Sequence, residues 1–367
     1  LGSHTMYVVT WDTTYDITWN TTEFSTPSDT VCGTPVEQLL CSVTDYHSIS
    51  SYTELNLNWT APFSPSHVEA WGYVYNNVDV TNMPMMEDVT KISAGPNHGL
   101  VLKSDSTVYN WPTAGWPQLS DSENHSFIDI AAGWWFNIGL YNDGTMTGWW
   151  WNESGQASTP DSVTDAVAVA AGYNHAMALR SDGTVVAWGA NGNGQIDVPA
   201  DLNNVIQIDA GYWYSAALKS DGTVVAWGQN NWEQTTVPDD LTDVVEISCG
   251  GYHMLALKSN GSVVAWGQNY DGQSTVPANL SMVEKIAAGG YHNMVLQNNG
   301  LLVGWGYNDN SQTSLPEVFE DVTQIACGEY FTAILVADPG DDCGTLNGYT
   351  VYEGGDSIAF TTESNYT

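Results

Sequence analysis

One step of about 40 residues, repeated seven times along the chain, restricts its fold more than any other feature. A turn glycine recurs at Gly95, Gly133, Gly172, Gly211, Gly250, Gly289 and Gly328, with a spacing of 38 residues once and 39 thereafter. A tryptophan keeps the step at Trp149, Trp188, Trp227, Trp266 and Trp305, and Trp111 and Trp71 extend the series backwards with altered spacing. Gln156, Gln195, Gln234, Gln273 and Gln312 follow the same register, as do Pro160, Pro199, Pro238, Pro277 and Pro316. A unit this short cannot bury an apolar face alone, so the units must stack on one another.

Within one unit the pattern is β. Residues 165–171 form an apolar, β-leaning run, and a second run from His175 to Arg180 follows Gly172. Asp182-Gly183 is a tight-turn signal, and a third run spans Thr184 to Trp188. A polar loop then ends at Val198-Pro199, and the Asp-Gly or Asn-Gly turn returns at 143–144, 221–222, 260–261 and 299–300. Four short strands per unit is propeller arithmetic, and seven glycine turns give seven blades. The last unit stops near Ala337, before any Trp-Gly strand, and that strand stands instead at Val68-Glu69-Ala70-Trp71-Gly72. The expected fold is all-β: a seven-bladed β-propeller over 66–337, with β-rich extensions at 1–65 and 338–367. Pairing of 66–90 with 322–337 would close the ring and hide the edges of an open sheet.

The run Ala-Ala-Gly-Tyr-Asn-His-Ala-Met-Ala-Leu-Arg-Ser-Asp-Gly-Thr-Val-Val-Ala-Trp-Gly at 170–189 resembles the regulator-of-chromosome-condensation repeat. Gly-Gln-Ile-Asp-Val-Pro at 194–199 and Gly-Gln-Ser-Thr-Val-Pro at 272–277 resemble its short form in secreted bacterial proteins, such as a propeller-type β-lactamase inhibitor protein. The resemblance covers about 66–337 and implies a seven-bladed propeller. It implies little about function, because propellers host many.

Charge narrows the function. The chain carries 42 Asp and Glu against 6 Lys and Arg, a formal net charge of −36. Phosphate recognition needs clustered cations, so a nucleic-acid partner is not expected. Docking on anionic lipid is disfavoured for the same reason. No run of 18 apolar residues occurs, so no membrane insertion is expected. Asn-X-Ser/Thr sequons at Asn20, Asn58, Asn124, Asn152, Asn260, Asn279 and Asn365 are candidate glycosylation sites. With a chain that opens at Leu1, they lead us to expect a processed extracellular or cell-surface protein.

No Gly-X-Ser-X-Gly, His-Glu-X-X-His or P-loop pattern is present, so we expect no enzyme, no cofactor and no metal. His98, His175, His253 and His292 fall three residues after the turn glycine, where Phe136, Tyr214 and Phe331 stand in other blades. Such exchange indicates packing rather than ligation. Lys103, Arg180, Lys219 and Lys258 lie eight residues after the glycine, and Lys91 and Lys285 four before it. They read either as an inherited surface position or as a cationic rim. Aromatics that break the repeat are the candidate binding residues: Trp116, Trp134, Trp135, Trp150, Trp151, Tyr212, Trp213, Trp232 and Tyr270. They either anchor a protein or sugar partner or fill gaps between blades. Cys32 and Cys41 are a candidate disulfide, Cys249 and Cys327 read as small buried residues, and Cys343 is left over.

The ends follow no repeat. Tyr7, Val9, Trp11, Tyr15, Ile17 and Trp19 alternate with mainly polar residues, as in a long half-buried strand or hairpin. Residues 347–362 read as a hairpin presenting Tyr349, Val351, Ile358 and Phe360. Two β segments flanking a closed ring suggest an assembly subunit whose partners are copies of itself, as in a filament or surface layer. The rivals are a soluble protein-binding propeller acting as inhibitor or adhesin, a carbohydrate-binding module with glycan partners, and a glycan-active enzyme.

Overall fold

The computed structural model of the chain describes residues 66–74, 78–80, 86–111, 126–316, 319 and 321–337, together with isolated strands at 5–8, 42–45, 58–60, 352–354 and 357–361. The chain divides into two compact units, Leu1–Ser64 with Asp338–Thr367, and Pro65–Ala337.

The larger unit is the expected all-β propeller of seven blades, each an antiparallel sheet. Blade 1 comprises Val89–Ala94, Gly99–Lys103 and Val108–Trp111, and blade 2 comprises Phe127–Ala132, Phe136–Tyr141 and Met146–Trp150. Blade 3 is Ala166–Ala171, His175–Arg180 and Val185–Gly189; blade 4 is Val205–Ala210, Tyr214–Lys219 and Val224–Gly228. Blade 5 is Val244–Cys249, His253–Lys258 and Val263–Gly267; blade 6 is Val283–Ala288, His292–Gln297 and Leu302–Gly306. Blade 7 joins the two ends of the unit: Val322–Cys327 and Phe331–Val336 are completed by His67–Val74 and Val78–Asp79. The register sets Thr332 opposite Trp71 and Leu335 opposite Val68.

Blades 1 to 6 have three strands each, not the four expected from unit length. In blades 3 to 6 the fourth leg is the polar Gln-to-Pro loop, and its proline cannot donate to a ladder. Side chains hold it instead. The indole Nε1 of Trp188, Trp227, Trp266, Trp305 and Trp71 donates to the carbonyl of Gln156, Gln195, Gln234, Gln273 and Gln312 of the preceding loop at 2.9–3.0 Å. Each of those glutamines is fully buried. Its Oε1 accepts the N–H two residues earlier, so the recurrent Gln–Trp pair replaces a strand.

The turn glycines crowd the channel at the end of the inner strands. A Cβ at Gly172 would fall 2.4 Å from the Gly211 carbonyl oxygen, and one at Gly289 would fall 2.5 Å from that of Gly328. No side chain fits where each blade's turn packs on the next. Two further seams run along the channel. Asp129, Gln207, Glu246 and Gln324, each four residues before the glycine, reach the next blade's inner strand. Their carboxyl or amide oxygens accept N–H groups of Val169, Ile247, Ile286 and Ile92. Ser93, Asp209 and Ser248 do likewise for Ala132, Cys249 and Ala288. Gln324 also donates to Thr90, which seals blade 7 to blade 1.

In the smaller unit, Thr5–Val8 pairs antiparallel with Ser357–Thr361, which forms a hairpin with Tyr352–Gly354; Ser42–Asp45 pairs with Asn58–Thr60. The register sets Tyr7 opposite Ala359, beside the positions of Ile358 and Phe360. The partner strand of the N-terminal segment thus comes from the same chain. Pairing of the two ends within one molecule weakens the argument for end-to-end assembly, whose motive was a pair of β segments flanking a closed ring without partners. Val9, Trp11, Tyr15, Ile17, Trp19, Tyr349 and Val351 lie outside the described residues, as do Cys32, Cys41 and Cys343.

Candidate functional site

The two residues after each turn glycine sit at the channel mouth, where inner strands end and middle strands begin. Aromatic rings there form a chain of contacts from blade 2 to blade 7. Trp134 stacks on Tyr173 with centroids 4.2 Å apart, and Tyr173 meets Tyr212 at 5.4 Å and Trp213 at 4.7 Å. Tyr212 meets Tyr252 at 5.3 Å, Tyr252 meets Tyr291 at 6.3 Å, and Tyr291 stacks on Tyr330 at 5.9 Å. Tyr307 closes a triangle, 6.5 Å from Tyr291 and 5.8 Å from Tyr330. Backbone bonds fix the second tier: the N–H groups of Trp151 and Tyr307, just past their outer strands, donate to the carbonyls of Trp135 and Tyr291.

Two blades give up their side chains to accommodate one ring. Gly251 and Gly290 follow the turn glycines of blades 5 and 6, and a Cβ on either would collide with the Tyr212 ring or hydroxyl. Tyr212 therefore lies across the mouth, its hydroxyl beside Glu329 of blade 7. That buried hydroxyl is turned to the Glu329 carboxyl. Burial raises the Glu329 carboxyl, and the hydroxyls of Tyr330 and Tyr212 offset part of the rise. Burial, with the charge of Glu329 next, pushes the phenols of Tyr173 and Tyr291 up to about 12. Both phenols are neutral donors at pH 7.

The structure gathers the sequence candidates on this one face. Trp134, Trp135, Trp150 and Trp213 are half-buried there, while Trp151, Trp232 and Tyr270 are exposed. Trp232 and Tyr270 pair edge to face at 5.1 Å. Tyr212 is a correction: at 8% exposure it plugs the mouth rather than projecting as an anchor. Trp116 lies outside the described residues. Sequence reading missed Tyr173, Tyr252, Tyr291, Tyr307 and Tyr330. Tyr173, Tyr252, Tyr291 and Tyr330 recur in the two columns behind the turn glycine, so they do not break the pattern by which the other aromatics stand out.

Beneath the mouth, a channel cavity of about 340 Å³ runs between the inner strands. Its walls carry Lys91 paired with Asp129, and buried Asp209, pushed up to about 6 by desolvation. Burial pushes Glu246 up to about 7, against the pull of Lys285. Every one of these carboxyls is spent on an inter-blade hydrogen bond. The histidines are spent likewise: the Nε2 of His175, His253 and His292 meets Ser215, Asn293 and Thr332 of the next blade at 2.7–3.0 Å. Desolvation lowers His98, His175 and His253 to about 4 and His292 to about 3, so all four are neutral. No group of three His, Cys, Asp or Glu among the described residues could hold a metal ion. Cys249 and Cys327 are buried free thiols, both raised by burial.

The cations sit elsewhere. Arg180 pairs with Asp165 at 2.9 Å, Lys219 with Asp221 at 3.5 Å, and Lys103 lies over the Tyr109 ring. These positions end the middle strands, at the opposite face of the ring. Each of those three is engaged within its own blade, as an inherited surface position would be.

A family model described as the regulator of chromosome condensation (RCC1) repeat matches residues 166–195, 205–231, 244–273 and 283–312. These are blades 3 to 6, and three of the four matches run on to the loop glutamine, Gln195, Gln273 or Gln312. No curated protein matches the whole sequence. Among solved structures, Prp20p from Saccharomyces cerevisiae, described with its binding to Gsp1p and histones, is similar with a TM-score of 0.62 at 17% identity, over 77% of this chain and 94% of that one. Human WBSCR16 is similar with a TM-score of 0.59 at 16% identity, over 74% of this chain and 100% of that one. The ectodomain of the receptor kinase CR4 from Physcomitrella patens has a TM-score of 0.55 at 23% identity, over 71% and 74%. Repeat, register and ring agree: the chain carries four RCC1 repeats, and its larger unit has the fold of a seven-bladed RCC1-type β-propeller.

Proposed function

We propose that this chain is a non-catalytic protein-binding propeller, and that its partner docks on the aromatic face at the channel mouth. The observation that carries this is the unbroken chain of ring contacts from Trp134 to Tyr330 on one face. Half-buried Trp and Tyr with exposed neighbours supply large rigid contact area at small entropic cost, which is the composition of interface hot spots. A similar propeller, yeast Prp20, is described with several protein partners: Gsp1p, histones and Kap60.

A glycan partner is the second reading, favoured by Trp232 and Tyr270, the latter 75% exposed. Their planes cross at 77°, so the two rings offer no shared platform for stacked sugars. We place the interaction outside the cell, a reading supported by sequon residues Asn152, Asn260 and Asn279, all exposed. Self-assembly is the weaker alternative once the N-terminal strand has a partner within its own chain.

Two blocks of substitutions test the docking face. One replaces Trp135, Trp213 and Tyr252 by Ala; the other replaces Ile128, Val167 and Ile206 on the opposite face by Ser. Immobilised variants are compared for retention of a partner from the native milieu. Loss confined to the first block is expected, and loss confined to the second overturns the proposal.

A further inference from the structure

The aromatic chain ends in a different chemistry from the one it begins with. At blades 2 and 3 the rings are Trp134, Trp135 and Tyr173. At blades 6 and 7 three tyrosines touch one another and three carboxylates surround them. Glu329 lies against Tyr330 and acts on Tyr291, Asp309 lies against Tyr307, and the charge of Asp271 acts on both Tyr291 and Tyr307. Burial and these carboxylates together raise the phenols. Among the described residues, Glu329, Asp271 and Asp309 form no ion pair. No Lys or Arg among the described residues stands on this face, since four end the middle strands at the opposite face and Lys91 and Lys285 lie inside the channel.

We infer that this corner of the docking face is a receptor for arginine side chains, presented by a basic segment of the partner. The inference rests on the docking face proposed above and names its chemistry. A guanidinium is planar, weakly hydrated and permanently charged. It stacks on a tyrosine face while its N–H groups reach a carboxylate, so aromatic rings bordered by acids suit it better than they suit an ammonium. Glu329 is the central acid, held between Tyr212 and Tyr330, and Tyr291 and Tyr330 present nearly parallel rings, 22° apart, on one side of it. The charge of −36 steers any polycation toward the molecule, but it does not by itself choose a face.

The test uses the full chain and a dodecapeptide carrying four arginines separated by glycine and serine, with matched lysine and citrulline peptides. Citrulline keeps the shape of arginine and removes its charge. Calorimetry at about 0.15 M salt suppresses diffuse attraction. The arginine peptide should bind at least threefold tighter than the lysine peptide, and the citrulline peptide should not bind. Glu329→Gln, and separately Tyr330→Leu, should weaken the arginine peptide tenfold or more. Asp182→Asn, on the opposite face, should change it less than twofold, and circular dichroism checks that each variant is folded. Equal losses from Glu329→Gln and Asp182→Asn would mean diffuse attraction and would overturn the inference while leaving the docking face standing. Partner contact at the opposite face in the block experiment overturns both.

Discussion

The two faces of this ring are built from one repeat and have diverged unequally. On the face opposite the channel mouth, each Asp-Gly or Asn-Gly turn repeats its neighbour. Asp182 and Asp221 cap their own turns through Thr184 and Thr223, and the nearby cations are engaged within their own blades. A β-bulge at the start of each inner strand leaves one residue facing solvent: Ile128, Val167, Ile206 and Val245 in four successive blades. That face is periodic. On the mouth face, the positions after the turn glycine hold Trp-Trp, Tyr-Asn, Tyr-Trp, Gly-Tyr, Gly-Tyr and Glu-Tyr in blades 2 to 7. A propeller needs the glycine there to pack its blades and needs nothing particular of the next two residues. Where structure makes no demand and the residues are large, aromatic and mutually in contact, binding is the economical explanation.

The largest effect should come from the periodic part. Gly172→Val places a branched side chain where even a Cβ lies 2.3 Å from the His175 ring and 2.4 Å from the Gly211 carbonyl. We expect a loss of about 3 kcal/mol or more and a markedly lower melting temperature by calorimetry. A loss below about 1 kcal/mol would show that the channel seam yields, and that the turn glycines are not what fixes the ring. The next effect belongs to the varied face. Replacing Trp135, Trp213 and Tyr252 together by Ala should weaken partner binding about a hundredfold, roughly 2.7 kcal/mol. The melting temperature should shift little, because all three rings are only half-buried. A variant that unfolds instead would return these rings to the packing account.

That split also governs what the sequence could reveal. Repeat spacing made the ring legible, because every recurrent residue has a local physical duty. The turn glycine makes room for a carbonyl, the tryptophan donates to a glutamine carbonyl, and the glutamine replaces a ladder. The closing strand at Val68–Gly72 was legible as the piece missing after Ala337. The candidate site was half legible. Trp134, Trp135, Trp150, Trp151, Trp213, Trp232 and Tyr270 stood out by breaking the pattern, and all lie on one face. Tyr252, Tyr291 and Tyr330 recur in register, so sequence alone could not tell a repeated packing residue from a repeated surface one. The direction of Tyr212 depends on Gly251 and Gly290 in other blades, which no local pattern encodes.

Acid should act on the seams. His175 is lowered from 6.5 to about 4 by burial, so its contribution is complete above pH 6.5 and is lost as the pH falls through 4. His175→Phe, the residue that blades 2 and 7 already carry, removes one proton uptake. Between pH 6.5 and 4 the dependence of stability on pH should flatten by up to about 1.4 kcal/mol per pH unit. Asp209 and Glu246 run the other way. Raised to about 6 and about 7, they favour the fold when protonated, and that contribution is lost as the pH rises through those values. Asp209→Asn should therefore make stability rise more steeply with pH between 3.8 and about 6, the range in which His175 acts in the opposite sense. Denaturant midpoints across pH 4 to 8 measure both arms, and an unchanged slope in either variant would move the titration to other groups.

The smallest expected change in stability bears most directly on the two faces. The residue after the blade tryptophan is glycine in blades 3 to 7, at φ between +97° and +104°. Blade 2 puts Trp150 there, at φ +80°, its ring 5.1 Å from that of His98 in blade 1. A side chain in this left-handed region costs on the order of 1–3 kcal/mol, and the packing of a half-buried indole returns a similar amount. Trp150→Gly relieves the first and forfeits the second, so unfolding should shift by less than about 1 kcal/mol. If the strained tryptophan serves the mouth face, partner binding should nevertheless fall severalfold in surface plasmon resonance. A loss of stability well above that bound with unchanged binding would make Trp150 a wedge between blades 1 and 2, and would shrink the docking face to blades 3 through 7.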